Sequence, residues 1–308
     1  HNTYEFYKEL ASAKVIIENT NIVERLYAYK KKEQFLLQTW HGSLGIKRLD
    51  GDVVMGFRWK QLAKRCQKTV DYLLSNSNFE TEVFRTAYWK DVPSILVGHA
   101  RNDIFFIKDQ EKVARINKKV HRFLNIDEDT HIFLFAPTHR DDVDESYQPL
   151  NYEMIKEALE ERFGGKWQIV IRLHNRLKKE SRSWLNLLPS YVSDATFYED
   201  MQELLLCTDV GLTDYSSWIF DFVLSGKPGF IIELNLEDYE NARGFYYPID
   251  TTPFPIATSS EELADNIRKF DAEKYAKDKD VFLAARGCME DGHASERIVE
   301  KINELMAK

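Results

Sequence analysis

The sequence is poor in cysteine: its three, Cys66, Cys207 and Cys288, are odd in number and far apart. That excludes a disulfide framework, and their helical or strand-like settings read as reduced core thiols of a cytoplasmic protein. No apolar run approaches the roughly 20 residues needed to span a bilayer. The opening HNTYEFYKEL has neither the basic nor the apolar part of a secretory signal, so the protein is expected to be soluble. A basic excess is also missing. The formal net charge is -8, which argues against a nucleic-acid binder, because that task needs a basic surface to displace counterions. There is no Walker loop and no G-x-G-x-x-G, so neither a P-loop nucleotidase nor a dinucleotide dehydrogenase is supported. No His pair has i, i+4 spacing and no Cys lies near a His cluster, which leaves no zinc site. Repeats at solenoid spacing and low-complexity tracts are absent too.

What is present is enough apolar material for two cores. Of 308 residues 44% are hydrophobic and 13% aromatic, and the length exceeds the usual single domain. Charge is uneven: residues 1–100 carry 15 Lys and Arg against 11 Asp and Glu, the remainder 27 against 39. A basic amino-terminal part would suit an anionic substrate or membrane surface on one side, although ordinary solvated faces give the same pattern. Short β-branched or apolar runs each end in a polar or glycine-containing turn: AKVIIENTN (13–21), QFLLQTWHG (34–42), YLLSNSN (72–78) and SILVGHARND (94–103). Such runs suit strands buried on both faces. Helical periodicity between them, as in WKQLAKRCQKTV (59–70), makes a βα pattern and hence a parallel sheet. A charged helical stretch, IFFIKDQEKVARINKKV (104–120), marks a domain boundary. The alternation resumes with HIFLFAPTHR (131–140), WQIVIRLHNR (167–176), ATFYED (195–200), DVGLTDYSS (209–217) and PGFIIE (228–233), and closes on the helical SERIVEKINELMAK. The expectation is α/β, with Rossmann-like parallel-sheet domains over residues 1–108 and 109–308 facing a central cleft.

In open parallel sheets, ligands sit beyond the carboxyl ends of the strands, where helix amino termini converge. The residues at those ends are His41, Gly42 and Ser43; Arg101 and Asp103; His139 and Arg140; Arg172 and His174; and Asp214, Ser216 and Ser217. Three of the eight histidines lie there, a bias that core packing does not explain. Singly, each has a plain reading. A strand-end His can be a hydrogen-bonded structural residue. Ser216 or Ser217 can simply cap the helix SWIFDFVLSG, with Gly226 as its terminator. Together the residue types match phosphate chemistry. Hydroxyls and free N–H groups at a helix start accept an anion, guanidinium and imidazolium groups bind phosphate oxygens, and a neutral His takes a proton from an attacking hydroxyl.

QTWHG (38–42), GHARND (98–103), APTHR (136–140), RLHNR (172–176), LTDYSSWIFDF (212–222) and DGHASERI (291–298) resemble, in order and over nearly the whole chain, the motif series of the CDP-glycerol:poly(glycerol phosphate) glycerophosphotransferases. WHG and TDYSS are its most specific elements. The resemblance implies a GT-B-like fold with an acceptor-side first domain, a CDP-donor-binding second domain and an active site between them. It also implies transfer of a polyol phosphate, glycerol or ribitol, from a CDP-polyol to a polyol-phosphate or lipid-linked polymer of the cell wall or capsule, releasing CMP. No cofactor or essential metal is implied, and the family works at the inner face of the cell membrane. Carried over, His41 becomes the general base, His139, Arg172, His174, Ser216 and Ser217 surround the donor diphosphate, and Asp214 shapes their loop. Gly42, Ser43 and Arg140 line the cleft, while Arg101 and Asp103 line it or hold the domains in register. The chain departs from the pattern after WHG, at Ala100 and at Asn175, where the family has proline, which leaves polyol and polymer open. Family domains also begin with a further strand, so an excised domain is expected.

Two rivals remain at this stage: a GT-B glycosyltransferase using a nucleotide sugar, and a catalytically silent module that binds a nucleotide or polymer. FRWKQLAKRCQK (57–68) could lie on an anionic leaflet, or be a solvated helix on its own core.

Overall fold

The computed structural model describes residues 3–20, 30–45, 47–53, 61, 64, 65, 67–138, 150–173, 189–233 and 244–308. Its first unit is built on four short strands, β1 (Val15–Glu18), β2 (Phe35–Gln38), β3 (Tyr72–Ser75) and β4 (Ser94–Leu96), paired in chain order and all parallel. Strand periodicity divides their leucines between two faces. Leu36 and Leu73 pack with Leu10 of α1 (Tyr4–Ser12), Phe84 of α2 (Asn78–Ala87), Trp40 and Trp89, whereas Leu37 and Leu74 belong to a second cluster. Ser77 caps α2 by accepting from Glu80 N at 3.0 Å.

The second unit follows with α3 (Gln110–Leu124), β5 (His131–Phe135), α4 (Tyr152–Phe163), β6 (Trp167–Ile171) and β7 (Val192–Asp194). It continues through α5 (Met201–Cys207), β8 (Val210–Thr213), α6 (Ile219–Phe222), β9 (Gly229–Ile232), β10 (Ile256–Ala257), α7 (Ser260–Arg268) and α8 (Ala272–Ala285). The six strands are all parallel, in the order β7-β6-β5-β8-β9-β10. Winding therefore reverses between β5 and β8, the arrangement that opens a ligand crevice at the carboxyl ends of those two strands.

Two expectations are corrected here. The strand expected at 195–200 lies upstream as β7, because Asp194 turns the chain by accepting from Thr196 N at 2.7 Å and Asp200 caps α5 through Gln202 N and Glu203 N. The division of the chain also differs. The first unit comprises His1–Asp103 and Leu283–Lys308, and the second Ile104–Phe282. The carboxy-terminal helix α9 (Ala294–Met306) thus belongs to the first unit, where Ile298 and Leu305 bury against Leu37, Leu74 and Val97.

Candidate active site

The first unit gathers its polar residues where the strands end. β1 and β2 stay paired up to Glu18 and Gln38, after which Trp40 adopts φ 54, a left-handed backbone that a bulky residue rarely takes. The indole is nevertheless buried, edge-on to Trp89 at 5.6 Å and tilted on Tyr88 at 5.8 Å, and this packing offsets the roughly 1–2 kcal/mol of strain. The turn brings His41 back over the Trp40 ring, stacked at 4.3 Å, with its Nδ1 2.7 Å from Asn19 O. A carbonyl can only accept, so in the neutral imidazole Nδ1 carries the proton and Nε2 the lone pair. Arg101 donates from Nη2 to Gly42 O. Asn19, Thr39, Trp40, His41, Gly98 and Arg101 are among the residues enclosing a cavity of about 200 Å³.

Beneath it lies a buried polar network that connects motifs far apart in sequence. Glu80 and His99 are each 2% exposed, with His99 Nε2 2.9 Å from Glu80 Oε2, which also accepts from Asn76 N at 2.8 Å. Asn76 Nδ2 donates to Ser43 Oγ at 2.7 Å and to Glu290 Oε1 at 3.0 Å, and Glu290 accepts further from His99 N and Asn102 Nδ2. Asp103 receives the first amides of α9, from Ala294 at 3.0 Å and Ser295 at 2.8 Å. The R-N-D element (101–103) therefore clasps the carboxy-terminal helix through Asp103. Gly98, at φ +86, lets the two segments close, since a Cβ there would meet Ala294 Cβ at 2.9 Å.

In the second unit the crevice between β5 and β8 is bridged by Asp214, which is 1% exposed. Its Oδ1 accepts from Thr138 N and Thr138 Oγ1, both at 2.7 Å, and from Tyr215 N at 2.6 Å. Ala136 O, at the end of β5, accepts from Thr213 Oγ1 and Trp218 Nε1. These bonds fix the loop that carries Ser216 and Ser217. Both serines are half-buried, and among the described residues neither hydroxyl has a hydrogen-bond partner. Neither is a helix cap. Trp218 holds the cap position of α6 and makes no side-chain cap, while Ser217 contributes its carbonyl to Phe220 N at 3.1 Å. The four residues of α6 run on only as a single tight turn to Ser225, closed by Gly226 at φ 73, so the helix dipole invoked from sequence is slight. Arg172 follows β6 half-buried and donates from Nη1 to Tyr198 O at 2.5 Å. Burial lowers its pKa while Asp200 and Asp194 oppose the shift, and it remains a cation.

His139, Arg140 and His174 lie outside the described residues. Among the described residues no group of three His, Cys, Asp or Glu stands ready to hold a metal, and no helix is long and apolar enough to cross a membrane. Sequence reasoning missed Asn19, Glu80, His99, Glu290 and Thr138. The S-x-x-E spacing from Ser77 to Glu80 was a local signal for Glu80, while His99 and Thr138 lay inside the GHARND and APTHR motifs without being singled out.

Residues 1–304 match the family model described as CDP-glycerol:poly(glycerophosphate) glycerophosphotransferase. The chain is 30% identical to a teichoic acid poly(glycerol phosphate) polymerase of Staphylococcus epidermidis, covering 98% of this chain but only 43% of that protein. It is also 30% identical to a teichoic acid glycerol-phosphate transferase of Staphylococcus aureus, over 97% of this chain and 78% of the relative. Among solved structures, the wall teichoic acid polymerase TagF matches with a TM-score of 0.82 at 28% identity, over 99% of this chain and 75% of that one. A TagF variant soaked with CDPG matches at 0.80 and 27% identity. The parallel-sheet units are accordingly GT-B-like, as expected from the motif series. Matched by the family model over nearly its whole length, the chain belongs to the CDP-glycerol:poly(glycerophosphate) glycerophosphotransferase family.

Proposed function

We propose that this chain transfers glycerol phosphate from CDP-glycerol to a hydroxyl at the end of a teichoic-acid-like polymer, releasing CMP. The observation that carries the reading is the state of His41: Asn19 O holds the proton on Nδ1, so Nε2 is a base. The acceptor hydroxyl gives its proton to Nε2 as its oxygen attacks the glycerol-bearing phosphorus. The bond from that phosphorus to the CMP oxygen breaks, and CMP leaves with the electron pair. The imidazolium then returns its proton to solvent. On the donor side, Arg172 and the Ser216 and Ser217 hydroxyls bind phosphate oxygens and stabilise the charge that builds on them. His139 and His174 are assigned to the same side, and Arg140 to the cleft, by the motif resemblance.

The TagF variant soaked with CDPG supports glycerol as the polyol. Relatives named as ribitol-phosphate enzymes, at 25–26% identity, make ribitol phosphate the competitor. We also place the protein at the inner face of the membrane, where the exposed Lys64, Arg65 and Lys68 would meet anionic lipid.

The test is nucleotide release from CDP-glycerol, CDP-ribitol and UDP-sugars with a lipid-linked acceptor. CMP from CDP-glycerol is expected. His41→Ala should lower turnover by about 10²–10⁴-fold and leave donor binding intact. Normal turnover in that variant would remove the base, and UDP release would move the attack from phosphorus to sugar carbon.

A further inference from the structure

Gln38 is the last residue of β2, and it is completely buried. A buried amide is tolerated only where its polar atoms are bonded, and both ends of this one are used in an unusual direction. Nε2 donates to Thr20 O at 3.0 Å, on the loop that follows β1, while Oε1 accepts from Trp40 N at 2.8 Å, on the loop that follows β2. The backbone ladder between the two strands ends at the pair Glu18 and Gln38, with Thr39 N bonded to Glu18 O at 2.8 Å. Beyond that point the side-chain amide does what ladder hydrogen bonds do within the sheet. It joins the two loops that build the imidazole site, since Asn19, next to Thr20, supplies the carbonyl for Nδ1 and Trp40 supplies the left-handed turn and the ring beneath His41.

We infer that Gln38 is a positioning residue that sets the tautomer and orientation of His41 by clamping Thr20 O and Trp40 N. The inference rests on the base role assigned to His41 for its effect on rate, but not for its effect on the ring itself. Without the clamp, the loop bearing Asn19 is released from β2 and Trp40 loses the acceptor that helps hold its strained φ. The Nδ1–H tautomer then loses its stabilising carbonyl. The other neutral tautomer carries its proton on Nε2 and cannot accept one there.

The experiment uses the full chain and two substitutions. Gln38→Met keeps the shape and removes both bonds. Gln38→Glu keeps the acceptor for Trp40 N but turns an oxygen toward Thr20 O. Ring ¹⁵N shifts of histidine are read at about pH 8.5, above the ordinary imidazole range, with His41→Ala identifying the signal. Wild type should show the Nδ1–H form, Gln38→Met a mixture of tautomers, and Gln38→Glu an intermediate position. In the CMP-release assay kcat should fall by about 10- to 100-fold, the usual consequence of losing a residue that orients a reacting group, with KM for CDP-glycerol unchanged. A ring that keeps Nδ1–H in Gln38→Met, or a kcat within about twofold of wild type, overturns the inference. If Gln38→Met does not fold, Gln38→Glu decides by the same criteria, and failure of both to fold makes Gln38 a residue of the fold alone and equally overturns it. A shifted tautomer together with normal turnover in His41→Ala would leave the clamp standing and remove the base.

Discussion

Asp214 offers the sharpest test of how the donor loop is held. Its Oδ1 serves three donors, Thr138 N, Thr138 Oγ1 and Tyr215 N, at 2.6–2.7 Å, in a place that is 1% exposed. Bonds to a charged acceptor contribute roughly 1.5–3 kcal/mol each, and a buried donor left without an acceptor costs about 1–3 kcal/mol. The Thr138 hydroxyl can rotate toward another acceptor, but the two amides cannot. Asp214→Ala should therefore destabilise the second unit by about 3–5 kcal/mol, the two orphaned amides accounting for most of it. Asp214→Asn keeps an oxygen at the same point and should lose only about 1–2 kcal/mol, the difference between charged and neutral acceptors. Denaturant unfolding gives the totals. Hydrogen exchange at the amides of Thr138 and Tyr215 gives the local effect, with protection lost in the Ala variant and reduced in the Asn variant. Because the loop carries Ser216 and Ser217, KM for the CDP-polyol should rise in parallel. Equal stabilities for Asp214, Asn and Ala would refute the bridging role, as would protection of both amides that survives Asp214→Ala.

Burial pushes the Cys207 thiol up from 9.0 to about 12, with Lys227 opposing and Asp209 reinforcing the shift. The folded pKa exceeds the unfolded one, so this contribution to stability is whole below about pH 9 and disappears as pH rises from there through about 12. Peptide mapping after iodoacetamide treatment near pH 8 should find Cys207 unmodified in the folded chain and modified in denaturant; rapid labelling of the folded chain would contradict the burial. Liposome flotation should recover the protein with anionic and not with neutral vesicles, less so after reversal of the charges at Lys64, Arg65 and Lys68. Equal recovery from both vesicle types would end the electrostatic reading.

The apolar runs were legible because a strand buried on both faces needs no partner to declare itself. Leu36, Leu37, Leu73 and Leu74 sit where the patterns put them. His41 was legible as a strand-end residue, but not the left-handed Trp40 that aims it, because that turn depends on Trp89 and Tyr88 some 50 residues away. Ser216 and Ser217 looked like caps because hydroxyls before an aromatic helix usually are. Asp214 instead takes the Tyr215 amide, and the helix begins at Ile219 with Trp218 as the residue before it. The network of Glu80, His99 and Glu290 joins residues up to about 200 positions apart, beyond the reach of any window of local pattern. For the same reason, the clasp between Asp103 and α9 was read as two separate motifs.

That clasp makes the order of synthesis matter. The cavity beside His41 takes part of its wall from Ile298, and the sheet that presents His41 is covered on one side by residues that follow the whole second unit in sequence. The amino-terminal unit must therefore wait, half-assembled, while everything from Ile104 to Phe282 is made. A premature stop after Phe282 would spare the unit translated just before it and instead strip the one begun first, so a truncation far from His41 in sequence should act as a lesion of the imidazole site.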